Sequence, residues 1–319
     1  MWSLCALILG FCLDLIVVDP HWMPHPIVFI GKLIDVTEKA MRKIFPKTVL
    51  GENFAGAAVW IVVVTVSTGL PLLILWLAYG VNCFLGLAVE TILCAQILAT
   101  KSLRTESMKV YSALQTGDLE KARYAVSMIV GRDTQYLDEA GVTRAAVETV
   151  AENTSDGIIA PMLYLAIGGA PLGFFYKAVN TMDSMLGYVE LPYKNVGLVP
   201  AKMDDFFNYI PARLSALLML AAGTLLGLDG KNGWKIFKRD RYNHASPNSA
   251  QTESVCAGLL GLRLAGDAWY HGVLHKKKFI GDAHREIEDT DIPRACRLMY
   301  GTAVLSLVFF AAVKFLILL

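Results

Sequence analysis

The chain has 319 residues, of which 55% are hydrophobic and only 18% are charged, and its mean hydropathy is +0.48. Ordinary soluble domains carry about 25% charged residues, so this composition excludes a typical soluble globular protein. The formal net charge of +1 provides no broad basic surface for a nucleic-acid partner. The composition therefore predicts an integral membrane protein with large polar segments.

Three apolar runs have the length and the scarcity of charge that a membrane span of about 20 residues requires. Residues 54–80 contain no charged side chain, 81–100 contain only Glu90, and 301–319 contain only Lys314. We predict that all three cross the membrane.

Three other runs are less regular. Residues 2–18 form a short run that includes Asp14 and lacks the basic start and small-residue cleavage site of a signal peptide, so we predict a retained span. Residues 157–176 are uncharged but interrupted by prolines and glycines, and 214–228 are only fifteen residues long. Each of these last two is a span, a re-entrant segment or a buried core helix.

The polar segments between these runs are predicted to be helical, because apolar residues recur in them with helical spacing and strand-like alternation is scarce. Asp118 is the expected cap of one such helix. Lys and Arg number five, seven and twelve in the three longest segments, which the positive-inside rule places in the cytoplasm. The predicted fold is one all-α, polytopic, membrane-embedded domain, 1–319, with four polar segments: 19–53, 101–156, 180–211 and 229–297.

A ladder of charged side chains forms the first candidate site. Read as a helix that ends at Gly157, the chain places them at four-residue intervals on one face: Arg144, Glu148, Glu152 and Asp156. A solvated face with Arg144 paired to Glu148 explains the same spacing. However, the helix dipole disfavours acids in a last turn. A bound cation would compensate the charge of these acids, and Mg²⁺ commonly joins one or two carboxylates to substrate phosphates.

Two further clusters of acids and amides follow. Asn180 and Asp183 come directly after an apolar run, where a helix cap or an interfacial turn is the alternative. Pro211 can open a helix at its first position. Arg213, just inside that helix, needs a partner such as Asp205 or a bound phosphate, unless it forms a purely structural ion pair. Polar residues gather just before that helix: Lys202, Asp204, Asp205 and Asn208.

The segment 237–253 holds the densest set of hydrogen-bonding side chains, and it is too polar to be core. Its SPNS stretch predicts a turn, after which Ser249 can cap a helix. Guanidinium groups here suit phosphate or carboxylate. A simple surface loop is the alternative. The candidates for binding are Arg239, Arg241, His244, Asn248 and Glu253.

Two histidine pairs have ligand-like spacing, but neither comes with a third ligand. His21 and His25 are interleaved with prolines that prevent a regular helix, whereas His271 and His275 can share a helical face. The sequence also lacks a P-loop, a dinucleotide-binding glycine motif and a serine-hydrolase elbow. Zinc is therefore not expected, and any nucleotide must bind without a P-loop.

Taken together, the motifs resemble the CbiB/CobD family of cobalamin biosynthesis, in chain order from about residue 10 to residue 300. The matching stretches are HPIVFIG (25–31), GRDT (131–134), ETVAENTSDGIIAP (148–161), KAVNTMDSMLGY (177–188), KMDDFFNYIPARL (202–214) and RDRYNHASPNSAQTE (239–253).

The resemblance implies a multi-pass cell-membrane enzyme, adenosylcobinamide-phosphate synthase. Such an enzyme uses ATP to join an aminoalcohol, usually aminopropanol phosphate, to a carboxylate side chain of adenosylcobyric acid. Because ATP is cytoplasmic, we expect the active site and 180–211 to face the cytoplasm. This favours 157–176 and 214–228 as non-crossing or re-entrant. The bilayer and other cobalamin-assembly enzymes are the expected partners.

Residue chemistry suggests a role for each candidate in such a reaction. Mg²⁺ on the ATP phosphates is assigned to three acids: Glu148, Glu152 and Asp156. A second metal contact, or the acceptor of the amine proton, comes from another acid: Asp183, Asp204 or Asp205. Phosphates are neutralised by four cations: Lys202, Arg213, Arg239 and Arg241. Substrates are oriented by the remaining polar groups: Asn153, Asn180, Asn208, His244, Asn248 and Glu253.

Three alternatives remain. A transporter of corrinoids or ions would use Asp14 and Glu90 as intramembrane path residues, but most polar residues lie between the apolar runs rather than inside them. A membrane phosphotransferase or prenyltransferase would carry repeated D-x-x-x-D pairs, which the sequence lacks. The third alternative is a non-catalytic scaffold.

Overall fold

A computed structural model describes residues 1–17, 25–188, 192–270 and 272–318. The described chain is mainly helical, which confirms the predicted all-α class. The helices are α1 (Trp2–Ile16), α2 (Pro26–Ile44), α3 (Val49–Val81), α4 (Cys83–Ala95), α5 (Thr100–Gln115), α6 (Leu119–Ser127), α7 (Glu139–Asn153), a π-helical segment (Thr154–Ile159), α8 (Ala160–Leu186), α9 (Leu198–Phe207), α10 (Tyr209–Leu225), α11 (Gly230–Asp240), α12 (Ser249–Leu260) and α13 (Asp291–Leu318).

The chain forms two compact units, each built from separate stretches of sequence. The first unit contains Met1–Leu98, Ala160–Asn208 and Phe309–Leu319. The second unit contains Ala99–Ile159 and Tyr209–Val308.

Within the described residues, four helical stretches are long and apolar enough to cross a membrane: Val49–Val81, Cys83–Gln115, Glu139–Leu186 and Asp291–Leu318. The number rises to five if α9 and α10 form one bent span. This confirms the predicted polytopic character. The fifteen residues of α1 fall short of the about 20 that a span needs, so the predicted span 2–18 stays a prediction.

In the first unit, α3 packs against α2, α4, α8 and α9. The Thr48 hydroxyl caps α3 by accepting a hydrogen bond from the Gly51 N–H at 3.1 Å. The helix is apolar all round, and it buries Val59 and Val63 while exposing Ile61 on another face. A helix that is hydrophobic on every face suits a membrane better than water.

In the second unit, α12 lies at the centre and packs against α7, α10, α11 and β4 (Phe279–Ile280). Its contact with α11 is close: a Cβ on Gly258 would lie 2.7 Å from the Gly233 Cα, so position 258 requires glycine. The Asn232 side chain donates a hydrogen bond to the Gly258 carbonyl at 2.7 Å. This packing explains why every residue of α12 is buried although five of its twelve residues are polar.

The polar segment before α13 also contains three other strands, β1 (Leu264–Ala265), β2 (Ala268–Tyr270) and β3 (Val273–His275). Antiparallel pairing joins β1 to β4 and β2 to β3. The prediction that His275 lies on a helix is therefore wrong, because cross-strand hydrogen bonds hold this stretch as a hairpin. Its predicted helical neighbour His271 lies outside the described residues, as does His21. His25 caps α2 through its Nδ1, which accepts from the Ile27 N–H at 3.2 Å.

The helix that begins with α7 does not end at Gly157 as predicted. It continues through the π-helical segment into α8, and the backbone leaves helical geometry only at Gly168 and Gly169. The wider π turn redirects some carbonyls to other donors. Thus the Thr154 hydroxyl donates to the Val150 carbonyl at 2.7 Å, and the Gly157 carbonyl accepts from the Ala99 N–H at 3.1 Å.

Two other predicted boundaries shift by one or two residues. Asn248 rather than Ser249 precedes α12, so Ser249 is its first helical residue and not its cap. The helix expected to open at Pro211 begins at Tyr209. Proline is tolerated there because the N–H groups of a first turn need no intrahelical acceptor. Asp118 caps α6 as predicted, accepting from the Lys121 N–H at 3.0 Å.

Candidate functional site

A polar cavity of about 210 Å³ lies within the second unit. Acids and amides reach it from α7, cations come from the loops before α7 and after β3, and α12 closes it with a buried acid. Five of the predicted site residues line it: Glu148, Glu152, Asn153, His244 and Glu253. The remaining lining residues are Ile129, Val130, Gly131, Arg132, Thr149, Ala265, Gly266, Tyr270 and Lys277.

Glu148 is held firmly at the wall of this cavity, where it is only 3% exposed. Its Oε2 accepts a hydrogen bond from Arg132 in an ion pair, and its Oε1 accepts from the Ala265 N–H at 2.6 Å. Ala265 adopts a φ of 58°, a left-handed conformation that costs an alanine about 1–2 kcal/mol. The bond to Glu148 helps to offset that cost. Arg144, the partner suggested by helical spacing, makes no hydrogen bond or ion pair with Glu148.

Glu253 contributes a second buried acid, 4% exposed, from the centre of α12. Its Oε2 is buried and has no hydrogen-bond partner among the described residues. Burial raises the pKa of Glu253 well above its ordinary value, and the carboxylates of Glu152 and Glu148 raise it further, against the opposing effect of Arg132. The Glu253 carboxyl group therefore releases its proton less readily than an exposed glutamate does.

Two basic residues of the cavity, His244 and Lys277, are held by hydrogen bonds. Burial lowers the pKa of His244, although Glu152 favours the charged form. The His244 Nδ1 accepts from the Ser246 N–H at 3.1 Å, so the neutral ring carries its proton on Nε2 and can donate there. Lys277 donates to the Tyr270 hydroxyl at 2.6 Å, and this bond fixes its amino group beside the cavity.

The other predicted residues of the second unit have structural partners. Arg239 pairs with Asp240 at 2.7 Å and with Asp282 at 2.9 Å, and its hydrogen bonds lower the pKa of Asp282. Arg213 lies 3.4 Å from the Tyr209 ring centroid and donates to the Tyr209 carbonyl.

Three predicted residues complete this account of the second unit. The Asn248 Oδ1 accepts from the Arg213 guanidinium at 3.2 Å. The Arg241 guanidinium lies near two aromatic rings, with its carbon 5.2 Å from the Phe237 ring centroid and 4.8 Å from that of Tyr242. Asp156 belongs to the π-helical segment, and it does not line the cavity.

The remaining predicted residues belong to the first unit. The Asn208 side chain donates to both carboxylate oxygens of Asp204 at 3.0 Å and accepts from the Tyr176 hydroxyl at 2.8 Å. Lys202 pairs with Asp205 at 3.4 Å across one helical turn. Asn180 and Asp183 lie on α8, so neither is the turn residue that the sequence left as an alternative.

Nine lining residues were not among the predicted candidates, and three of them carry a cationic or phenolic group: Arg132, Tyr270 and Lys277. Arg132 belongs to the GRDT stretch, whose membership in the family pattern was the one available signal. Lys277 lies in a run of three lysines, which resembles a solvated surface. Tyr270 lines the cavity as the last residue of β2, and the prediction of helix for this segment missed the β2–β3 hairpin.

The oxygen-rich lining fits Mg²⁺ in part. No group of three or more His, Cys, Asp or Glu side chains in the described ranges is arranged as a metal site. Both oxygens of Glu148 are already hydrogen-bonded. The Glu152 carboxylate has no hydrogen-bond partner among the described residues. Mg²⁺ is often bound by one or two carboxylates together with waters and substrate phosphates. The cavity can therefore accommodate the ion mainly through Glu152, and the predicted trio with Asp156 stays a prediction.

The chain is similar to known proteins along nearly its whole length. The model of the CobD/Cbib protein family matches residues 7–299. The protein named cobalamin biosynthesis protein CobD of Clostridium perfringens is 48% identical over 302 residues, covering 95% of each chain. The protein of the same name from Pelobacter propionicus is 46% identical over 94% of this chain and 91% of its own. Cobalamin biosynthesis protein CbiB of Salmonella arizonae is 44% identical over 98% of both. No solved structure matches. This chain therefore belongs to the CobD/CbiB protein family.

Proposed function

We propose that the protein acts in cobalamin biosynthesis as an ATP-dependent ligase. The reaction joins the amine of aminopropanol phosphate, aminopropanol or a similar aminoalcohol to a carboxylate side chain of adenosylcobyric acid. The product is adenosylcobinamide phosphate or adenosylcobinamide. The names of the relatives support the pathway, and the chemistry of the cavity supports the reaction.

One observation carries the proposal. The cavity of the second unit combines two buried acids, Glu148 and Glu253, with the half-buried Glu152 and the cations Arg132 and Lys277. Burying polar groups is costly unless they are paired or used. Glu148 is paired, whereas the Glu253 Oε2 is not. An unpaired buried acid beside a polar cavity is typical of a catalytic site.

Amide formation from a carboxylate needs activation, because a carboxylate is a poor electrophile. In the proposed reaction, a carboxylate oxygen of adenosylcobyric acid attacks the γ-phosphorus of ATP, and ADP leaves. The resulting acyl phosphate has a good leaving group. Lys277 and the Nε2–H of His244 are placed to stabilise negative charge on the transferred phosphoryl group, which is the main requirement of phosphoryl transfer.

The second half-reaction needs a base. The amine attacks the acyl carbon, the carbon–oxygen bond to phosphate breaks, and the nitrogen must lose a proton. Glu253 suits this role because its raised pKa makes its carboxylate a stronger base than an ordinary glutamate. The Arg132–Glu148 ion pair holds another part of the cavity lining in position. Bound Mg²⁺ would neutralise phosphate charge, with Glu152 as its principal protein ligand.

The location of the reaction is part of the proposal. The apolar helices support a multi-pass membrane protein, and we place it in the cell membrane with the cavity on the cytoplasmic side, where ATP is found. The excess of Lys and Arg in 101–156 and 229–297 supports that orientation. The new thiol of the variant Tyr124→Cys, at an exposed position of the second unit, should react with an impermeant thiol reagent only in inverted membrane vesicles. Labelling of this thiol in intact cells would contradict the cytoplasmic orientation.

The test is reconstitution of the reaction with purified protein. Adenosylcobyric acid, ATP, Mg²⁺ and aminopropanol phosphate should yield adenosylcobinamide phosphate, and Glu152→Ala should abolish the product. Parallel assays with unphosphorylated aminopropanol identify the preferred amine. Uptake of corrinoid into vesicles without amide product would instead support a transporter. In that alternative Glu90 would be a path residue, but the Tyr79 hydroxyl already donates to it at 2.6 Å.

A further inference from the structure

We propose that a second pocket of the second unit binds a phosphate group. It has a volume of about 480 Å³ and is separate in its lining from the cavity described above. Three arginines line it, Arg144, Arg263 and Arg285, and Glu286 is the one acid among its lining residues. The volume is within the range of small-molecule sites, about 300–1,000 Å³. We call it the arginine pocket.

Arg144 supplies the first argument. It lies on α7, and its Nε is buried without a hydrogen-bond partner among the described residues. The acid one turn further on, Glu148, is bonded to Arg132 and to the Ala265 N–H instead. A buried guanidinium donor without an acceptor is costly. An anion in the pocket would supply that acceptor.

Arg263 supplies the second argument. It is exposed, and its guanidinium carbon lies 4.5 Å from the centroid of the Phe279 ring. Stacking on an aromatic face orients the planar group while leaving its N–H edge available. No ion pair of Arg263 is found in the described part of the chain. Its charge is therefore held in place but not neutralised.

Arg285 is the fixed member of the group. It donates to both carboxylate oxygens of Asp291, at 2.8 Å for one of them, and to the Glu286 carbonyl at 3.1 Å. This network anchors the loop that forms one wall of the pocket. The pocket thus combines one anchored arginine with two whose charge is uncompensated, which favours a multiply charged anion over a neutral ligand.

The two pockets share their supporting elements. Arg144 lies one helical turn before Glu148 on α7, and Arg263 comes two residues before Ala265. An anion held by these arginines would therefore be anchored to α7, which carries Glu148 and Glu152, and next to the strand residue whose N–H holds Glu148. Which phosphate binds, that of ATP or that of the aminoalcohol phosphate, rests on the proposed function. Anion binding itself does not.

The experiment measures binding without turnover. Purified protein is titrated calorimetrically with inorganic triphosphate in the presence of EDTA, and then separately with ATP, aminopropanol phosphate and aminopropanol. The test variants are Arg263→Gln, which changes an exposed residue, and the double variant Arg144→Gln/Arg263→Gln. Arg263→Lys keeps the charge but loses the planar fork. Arg297→Gln removes an exposed arginine outside the pocket and is the matched control.

We expect wild-type protein to bind triphosphate, Arg263→Gln to weaken binding at least tenfold, the double variant to weaken it further, and Arg297→Gln to leave it unchanged. If the variants also lose affinity for only one of the two phosphorylated substrates, ATP or aminopropanol phosphate, that substrate is the source of the bound phosphate. Unchanged triphosphate affinity in both test variants, or no binding by the wild type, would overturn the inference. If triphosphate binds through these arginines but no amide is ever formed, the proposed ligase activity is wrong, whereas anion binding by the arginine pocket is confirmed.

Discussion

Helices α3 and α12 differ in the side chains that they expose and bury: α3 exposes apolar side chains, whereas α12 buries polar ones. In α3, apolar side chains point outward in large numbers, and Trp76 is 71% exposed. In α12, every residue is buried, yet Ser249, Gln251, Thr252, Glu253 and Ser254 are polar. A helix of the first kind is stable where lipid surrounds it, because no apolar surface then faces water.

The second kind needs a different explanation. Buried polar groups are costly unless they are hydrogen-bonded or used. Some donors in α12 are satisfied: the Gln251 amide nitrogen donates to the carbonyls of Arg241 and Pro247, both at 3.0 Å. Three buried oxygens of this helix have no hydrogen-bond partner among the described residues, and one of them belongs to an acid: Gln251 Oε1, Thr252 Oγ1 and Glu253 Oε2. The comparison teaches that hydropathy locates the membrane helices, whereas buried polarity locates the candidate site.

Removing the charge of Glu253 should have the largest effect. If Glu253 is the base, Glu253→Gln should slow amide formation by roughly 10²–10⁴-fold, the usual contribution of a general base. Ser254→Ala is the matched control, since this neighbour in α12 donates only to the Gln251 carbonyl and should leave the rate nearly unchanged. Equal rates for wild type and Glu253→Gln, measured by product formation, would remove Glu253 from the mechanism.

Breaking the Arg132–Glu148 pair should be the next largest effect. Arg132→Gln leaves the Glu148 carboxylate buried without its cation, which should destabilise the fold by about 3 kcal/mol. Adding Glu148→Gln should recover much of that loss, because the uncompensated charge is then gone. Denaturation of both variants in detergent checks the prediction. A double variant less stable than Arg132→Gln would show that the carboxylate has a separate structural role.

Replacing one glycine of each helix with alanine compares how tightly α12 and α3 are packed. Gly258→Ala in α12 should destabilise the protein by about 1–3 kcal/mol, because the new Cβ would lie 2.7 Å from the Gly233 Cα and 2.8 Å from the Asn232 carbonyl oxygen. Gly69→Ala in α3 meets nothing within 4 Å and should stabilise by about 0.5–1 kcal/mol. Opposite shifts in the unfolding midpoint are expected. Equal shifts would argue against the tight centre of the second unit.

The pH dependence of stability should show the smallest effect. Glu253 has a pKa near 4.5 when unfolded and a higher one when folded. Below pH 4.5 both states hold the proton, so the contribution to stability is complete. As the pH rises from 4.5 through the folded-state pKa, the unfolded state releases its proton first and stability falls. Relative to Glu253→Gln, wild-type protein should thus lose stability as the pH rises. A constant difference between the two melting temperatures would contradict this.

Much of the fold follows from sequence, because long apolar runs leave few alternatives to membrane helices. The stop expected at Gly157 fails because a glycine ends a helix only where the chain turns away, and here the Gly157 carbonyl has a partner at the start of α5. The hairpin of β2 and β3 was missed because three-residue strands are too short to show an alternating pattern.

The candidate site was predictable in its residues more than in its pairings. Glu148, Glu152 and Glu253 come from conspicuous polar motifs, and the structure places all three along one cavity. The partner of Glu148 was not predictable: local spacing favours Arg144, but a loop residue sixteen positions earlier, Arg132, takes that place. Tertiary contacts of this kind outweigh an i,i+4 pair, which is worth only about 0.2–0.5 kcal/mol.

The most direct test of the central claim, that the cavity activates a carboxylate for attack by an amine, is an isotope-transfer measurement. Adenosylcobyric acid labelled with oxygen-18 in its free carboxylate is converted with ATP, Mg²⁺ and aminopropanol phosphate, and the released phosphate is analysed by mass spectrometry. The account predicts one labelled oxygen in inorganic phosphate for each amide formed. Amide formation with unlabelled phosphate, or release of phosphate without amide, would contradict it.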